Sequence, residues 1–413
     1  MKIALVHDYL NEFGGAERVL LALSEIYPEA PIYTAFCKRG SEAARRFKGK
    51  DIRVSWVSKI PFFAGKLYSP LRFLAPWIWG SFDFSEYDLV ISSASWYVTK
   101  GFGSGGIRPL KLAKNQKSKG YSPLVAIDRS DKTLEEKRPI EFCYCHTPPR
   151  WLYGYKTSME WQKFWLVRVY GQIVGHFMRQ YDFNTAQRVD YFVANSKEVK
   201  KRIEKFYRRE AKVIYPPVEL PGVEKPFDVA QGKQDYYLVI SRLVGGKGLE
   251  LAIKAVVKTG TKLKIAGAGA GWGSEEKRLR KGVPRQVRQA HCKQARDKIE
   301  FLGHVDDEEL VKLYSQAKGF LALAENEDFG ITPVEAMSCG TGVIAFRGGG
   351  YLETVVENKT GVFFEEQTVG SLVEAIKKFE KLKLKQEDCI KQAEKFSKER
   401  FVREMKGFVG LTR

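Results

Sequence analysis

Two doubly wound α/β domains, each built on a parallel sheet and facing a shared cleft, are what this sequence predicts. Three observations carry that reading. The chain has 413 residues, too many for one ordinary core and a natural length for two domains. Short apolar strands alternate with helical stretches in two similar halves, which is the pattern of parallel sheets with crossover helices. Between the halves lies IYPPVELPGVEKP (214–226), proline-rich and without periodicity, the composition of a joint.

The first half opens with a strand at residues 2–6, followed by a Gly14–Gly15 turn and a helix starting AERVLLALSEIY. DLVISSA (88–94), EFCYCH (141–146) and YFVANS (191–196) continue it as strands. The second half opens with YYLVIS (236–241), a glycine-rich loop LVGGKG and the helix LELAIKAVVK. KLKIAGAG, KGFLALA and GVIAF follow as strands. The expected division is 1–218 and 219–393, with 394–413 as a last helix that crosses back to the first domain. Two basic stretches interrupt the alternation, about 105–138 and about 274–298, the second with nine Lys or Arg. They read as surface insertions, with lipid or nucleic-acid contact as the sharper alternative; no nucleic-acid motif accompanies them.

Composition narrows the partners. A balance of 69 basic to 49 acidic residues gives +20, so the surface seeks anions. Nucleic acid, anionic lipid and phosphorylated small molecules all fit that charge. The six cysteines are scattered, and only Cys143 and Cys145 lie close. That spacing puts both on one face of a strand and leaves no second pair for zinc. A reduced, cytoplasmic thiol set follows. The opening MKIALVHDYL places His7 and Asp8 where a signal peptide needs an apolar run, so it reads as a buried strand. No stretch of about 20 apolar residues suggests a spanning helix. The segment 59–82 is unusually aromatic, with Lys59, Lys66 and Arg72 interspersed. It is either core folded over itself or a patch lying on a membrane surface.

The chemistry concentrates near glycine-rich turns. Arg242 and Lys247 stand at a strand end and in the loop opening a helix, where backbone N–H groups and a positive dipole end receive anions. Two cations there suit a diphosphate, although the spacing is not that of a P-loop. GAGAGWG (267–273) is a second glycine turn and a weak dinucleotide signal by itself. In ENEDFGITPVEAMSCGTGVIAF, Glu327 and Glu335 flank a turn into a helix. Thr332 is a good N-cap with Pro333 at the first helical position, and T-P-V-E reads as a capping box that would explain Glu335 without any ligand. Asp306–Asp307 reads as a helix N-cap region rather than a metal ligand pair. His7, His176, His291 and His304 read as structural or exposed, and Asp8 as either an acceptor contact or a loop cap.

Together FGGAERV (13–19), CHTPPRWLY (145–153), ANSKEV (194–199), SRLVGGKGLELAI (241–253), FLGHV (301–305) and ENEDFGITPVEAMSCGTGVIA (325–345) resemble the family-4 retaining glycosyltransferases of GT-B architecture. The opening and the CHTPPRWLYG stretch look most like mannosyltransferases of bacterial surface-polysaccharide (O-antigen type) synthesis. The resemblance implies an N-terminal acceptor domain and a C-terminal nucleotide-sugar domain. It places Glu327 on hydroxyls of the transferred sugar and Glu335 on the ribose. The N–H groups of Phe329, Gly330 and Ile331 would face the sugar, and Arg242 and Lys247 would hold the diphosphate. The Gly14–Gly15 turn would approach that diphosphate, and His146 would be the cleft histidine. Catalytic standing goes to His146, Glu327, Arg242 and Lys247. No metal and no cofactor are implied. The implied donor is GDP-mannose and the acceptor a lipid-linked saccharide, with the protein cytoplasmic and peripheral on the inner face of an anionic membrane. An NDP-sugar epimerase of the same fold stays open, as does a basic nucleic-acid-binding protein without catalysis. Departures from the family pattern are Gly245–Gly246, Gly342 and the 274–298 stretch.

Overall fold

The computed structural model describes residues 1–103, 138–155, 165–219, 233–241, 247–267 and 298–411. Nearly all of the two basic stretches, together with Arg242, Gly245, Gly246, His291 and Cys292, lies outside the described residues.

The first sheet holds β1 (Ile3–His7), β2 (Ile32–Thr34), β3 (Ile52–Val54), β4 (Leu89–Ala94), β5 (Ile140–Cys145), β6 (Tyr191–Ala194) and β7 (Ala211–Val213). Its order is β3-β2-β1-β4-β5-β6-β7, every described pairing parallel. The second sheet holds β8 (Tyr236–Ile240), β9 (Lys262–Ala266), β10 (Ile299–Gly303), β11 (Gly319–Ala322), β12 (Val343–Phe346) and β13 (Gly361–Phe364). Its order is β10-β9-β8-β11-β12-β13, again parallel. The predicted fold class is the observed one. In both sheets the order reverses beside the first strand, between β1 and β4 and between β8 and β11. Ligands of open α/β sheets bind outside the carboxyl ends of strands at such a reversal.

Strand alternation sends neighbouring residues to opposite faces, and β1 shows it. Leu5 packs with Val19 and Leu20 of α1 (Gly15–Ile26), whereas Ala4 and Val6 pack with Tyr33, Trp79 and Tyr97. Cys143 and Cys145 share one face, buried and free. The chain ends in α12 (Lys398–Leu411), whose Phe401, Met405 and Phe408 lie in the core of the first lobe beside Leu20 and Phe142. A buried Phe is worth about 3–5 kcal/mol over Ala, so this helix is a structural member of that lobe. The helix before it, α11 (Gln386–Glu394), packs instead on the second lobe through Cys389 and Ala393.

The aromatic segment 59–82 is partly core and partly exposed. Phe63, Ala75, Ile78 and Trp79 are core, while Phe62 is 81% exposed and Trp77 61% exposed. Tyr170 of α4 (Trp165–Arg188) donates to the carbonyl of Pro70 at 2.7 Å, tying the segment to that helix.

Candidate active site between the lobes

The loop after β11 is shaped by glycines in the segment that follows β12. A Cβ on Gly349 would stand 2.3 Å from the carbonyl oxygen of Glu327, and one on Gly350 would stand 2.3 Å from Cα of Phe329. The Gly350 N–H donates to that same Glu327 carbonyl at 2.9 Å. Backbone is therefore pressed on backbone, which fixes where the Glu327 side chain begins.

From there Glu327 Oε2 accepts from Lys247 Nζ at 2.8 Å. Lys247 precedes Gly248, which caps α6 (Leu249–Thr259) at φ 71° and lies against Leu323, where a Cβ would come to 2.6 Å. Thus the helix that follows β8 starts beside the end of β11, at the strand-order reversal. A cation, a carboxylate and a helix N-terminus share that spot.

The helix carrying Glu335 corrects an expectation. It is α8 (Ile331–Ser338), capped by the backbone of Gly330 at φ 87° with no side-chain cap. Thr332 is therefore inside the helix, Pro333 is its third residue, and T-P-V-E is not a capping box. Tertiary packing sets the earlier start, because Gly330 lies against the Tyr351 ring, where a Cβ would come to 2.8 Å. The capping account of Glu335 fails with it. Its buried carboxylate instead accepts from Tyr314 Oη at 2.8 Å and pairs with Arg18 of the first lobe at 2.8 Å.

Gly14 and Gly15 come to the same place. A Cβ on Gly15 would lie 2.6 Å from Ile331 Cδ1, so the turn touches the first residue of α8. The peptide units of Phe329, Gly330 and Ile331 stand at that helix N-terminus, where a partial positive charge accumulates. Around them the lobes are bridged by ion pairs. Asp328 pairs with Arg150 at 2.7 Å and also with Arg202, and its carbonyl accepts from Ser196 Oγ at 2.5 Å. Glu353 accepts from the N–H groups of Lys197 and Glu198 at 2.9 and 3.1 Å, as an anion at the start of α5 (Lys197–Tyr207).

His146 is at the end of β5, buried, with Nε2 2.8 Å from Ser93 Oγ. Burial pushes its pKa down to about 3, so the ring is neutral in ordinary buffers. Asp8 is an anchor for the chain after β4, accepting from the N–H of Trp96 at 2.5 Å and from Thr99 Oγ1. Asp306 caps α7 (Asp307–Gln316) through the Glu309 N–H at 2.8 Å. The structure therefore brings Gly14, Gly15, Lys247, Glu327, Phe329, Gly330, Ile331 and Glu335 to the facing edges of the lobes. Arg242 is outside the described residues.

Residues 224–396 match the family described as Glycosyl transferases group 1. That stretch, the second lobe, is similar to group 1 glycosyl transferases. Over 172 residues, 40% of this chain and 32% of the relative, the chain is 28% identical to the GtfA subunit of the UDP-N-acetylglucosamine–peptide N-acetylglucosaminyltransferase of Streptococcus pneumoniae. Over 270 residues, 60% of each protein, it is 27% identical to the mouse alpha-1,3/1,6-mannosyltransferase ALG2. Over another 270, 63% of this chain and 71% of the relative, it is 24% identical to an uncharacterized glycosyltransferase of Methanocaldococcus jannaschii. The chain thus spans about a third of the pneumococcal protein and 60% of the mouse one. Among solved structures, Anabaena HepE with UDP and glucose superposes with TM-score 0.67 at 18% identity, covering 99% of both chains. Sucrose-phosphate synthase of Thermosynechococcus elongatus gives TM-score 0.67 at 16% identity, covering 99% of this chain and 98% of that one. These likenesses establish the GT-B fold.

Sequence reasoning missed the residues that knit the second lobe to the first. Arg18, Arg150 and Arg202 lie inside or next to the quoted motifs, yet nothing in their local pattern distinguishes them from surface cations. Their partners are set by the meeting of two lobes.

Proposed function

We propose that this protein is a retaining, metal-independent glycosyltransferase that moves mannose from GDP-mannose to a lipid-linked saccharide on the inner face of the cell membrane. One observation carries the reading. Two carboxylates eight residues apart each meet a cation at the facing edges of the lobes, Glu327 with Lys247 and Glu335 with Arg18. Such a site suits a ligand with hydroxyls at two points and negative charge between them. Glu327 takes hydroxyls of the departing sugar and Glu335 those of the ribose, while Lys247 and Arg242 hold the diphosphate. The amide N–H groups of Phe329, Gly330 and Ile331 face the sugar, and the Gly14–Gly15 turn closes on the diphosphate.

As the anomeric C–O bond breaks, negative charge grows on the leaving diphosphate. Cations and amide dipoles already aimed there stabilise the transition state more than the ground state. The acceptor hydroxyl attacks on the same face, its proton passing to a diphosphate oxygen, so no carboxylate nucleophile is required. His146, neutral and buried, contributes a hydrogen-bonding ring beside the sugar rather than a charge. The 27% identity to a mouse mannosyltransferase supports the choice of sugar.

Membrane attachment draws support from α4. Trp165, Val169, Ile173 and Phe177 recur every fourth residue, all exposed, with Trp165 and Phe177 each at 64%. Residues four apart share one helix face. Arg168 and Arg179 are exposed on the same helix, and Trp77 and Phe62 project from the segment tied to it. An aromatic-basic surface of this kind suits an anionic bilayer. No described helix is long and apolar enough to cross a membrane.

A thermal-shift panel with GDP, UDP and ADP tests the donor, and GDP should stabilise most. Equal shifts would remove GDP-mannose. Flotation with phosphatidylglycerol vesicles tests the surface. Wild type should float and a W165S/F177S variant should not.

A further inference from the structure

Three adjacent strands end in a buried line of polar groups that runs from Glu17 through His7 and Ser93 to His146. Register sets it up, since His7 of β1 lies opposite Ser93 of β4, and Ser93 lies opposite Tyr144 of β5. His146 is two residues beyond Tyr144, on the same face of the sheet. Ser93 Oγ is 3.0 Å from His7 Nδ1 and 2.8 Å from His146 Nε2. The other nitrogen of His7, Nε2, stands 3.6 Å from Oε1 of Glu17. Oε2 of Glu17 accepts the Gly14 N–H at 2.8 Å. His7, Ser93 and Glu17 are all buried.

We propose that Glu17 is a positioning residue that acts through His7 and Ser93 to hold His146 as its Nε2–H tautomer. The logic is proton counting. Glu17 is a carboxylate: burial pushes it up, but the His7 ring and the Gly14 amide bring it below its ordinary value. A carboxylate only accepts, so when His7 carries a single proton it sits on Nε2, facing Glu17 across 3.6 Å, and Nδ1 is left bare. Ser93 has one proton to donate, and it goes to that bare nitrogen. Its oxygen then accepts from His146, whose proton must sit on Nε2. His146 is left with Nδ1 as its single lone pair. Resting on the transferase reading above, that lone pair accepts from a hydroxyl of the bound sugar.

Glu17→Gln inverts the line. The Gly14 N–H still needs an acceptor, so the amide oxygen takes the place of Oε2 and the NH2 group faces His7 Nε2. That nitrogen must now accept, its proton moves to Nδ1, Ser93 turns its hydroxyl toward His146, and His146 becomes the Nδ1–H tautomer. The full chain has five histidines, so long-range proton–nitrogen spectra of protein labelled at histidine nitrogen, recorded at pH 8, resolve each ring. His146 is identified by its loss in H146N. Expected are Nε2–H in wild type, Nδ1–H in E17Q, and no further response to E17Q once S93A is present. A wild-type His146 protonated at Nδ1, or one that E17Q leaves unchanged, overturns the proposal. Should E17Q not fold, the wild-type and S93A spectra still decide it, because removal of the serine should release His146 from a single tautomer. In sugar transfer E17Q should lose roughly tenfold in kcat, the scale of one hydrogen bond, with donor KM less affected. A flipped tautomer with unchanged kcat would refute the positioning role. The spectra do not require transfer, so absent activity in wild type would sink the transferase reading alone.

Discussion

Glu141 is a carboxyl group closed inside the first lobe, and its surroundings dictate a pH dependence. Ser92 Oγ donates to it at 2.6 Å, and the N–H groups of Gly101, Phe102 and Gly103 donate at 2.9, 2.7 and 3.1 Å. Burial outweighs these donors and pushes its pKa up to about 7. The folded chain therefore keeps a proton that the unfolded chain releases above about pH 4.5. Its contribution to stability is full below that pH, falls as pH rises toward 7, and is level beyond. Glu141→Gln should flatten stability against pH between 5 and 7, the span being worth about 3 kcal/mol. Urea denaturation across that window measures it, and an unaltered slope would acquit the residue. Glu327 offers the complementary test on activity. Glu327→Ala removes the partner of Lys247 and, with it, the proposed sugar contact, so kcat should fall about a hundredfold, as steady-state assays would record.

Elements are where the chain was most readable, and where its limits have physical causes. β1, β4, β5, β8, β11 and β12 are apolar runs bounded by turns, and periodicity is enough for them. β2, β3 and β7 have three residues each, too few to show a period of two. They are recruited by the strands beside them. Thr332 illustrates the opposite failure, a sound local cap overruled by Gly330 packed on Tyr351. The outward stripe of α4 escaped notice because a helix with apolar residues on both its faces has no clean amphipathic signal. The glycine pair 349–350 yields a prediction at this scale. Gly350→Ala places a methyl group against Cα of Phe329, which cannot swing aside as a side chain would. About 1–3 kcal/mol of stability should be lost, with donor protection in thermal shift weakened beyond that loss. A variant with wild-type donor protection would show that this backbone contact does not shape the loop.

For the whole molecule, two doubly wound halves were legible because their strands and helices repeat in order. How they meet was not, since Arg18, Arg46, Arg150 and Arg202 find partners more than a hundred residues away. The site suffered the same way: Glu327 and Lys247 belong to one lobe and could be paired by motif, whereas the Arg18–Glu335 contact exists only across two. Arg150→Ala with Arg202→Ala strips Asp328 of both cations. The prediction is a larger radius of gyration by small-angle X-ray scattering and a raised donor KM, with little change in far-ultraviolet circular dichroism. An unchanged radius would mean that these bridges do not hold the lobes together.

Asp328 is joined by a peptide bond to Glu327, so its grip on the first lobe has a mechanical meaning. A parting of the lobes that left those bridges intact would tug on the stretch of chain from which Glu327 reaches Lys247. On the proposed transferase reading, lobe separation and donor release would then be coupled through this one peptide bond.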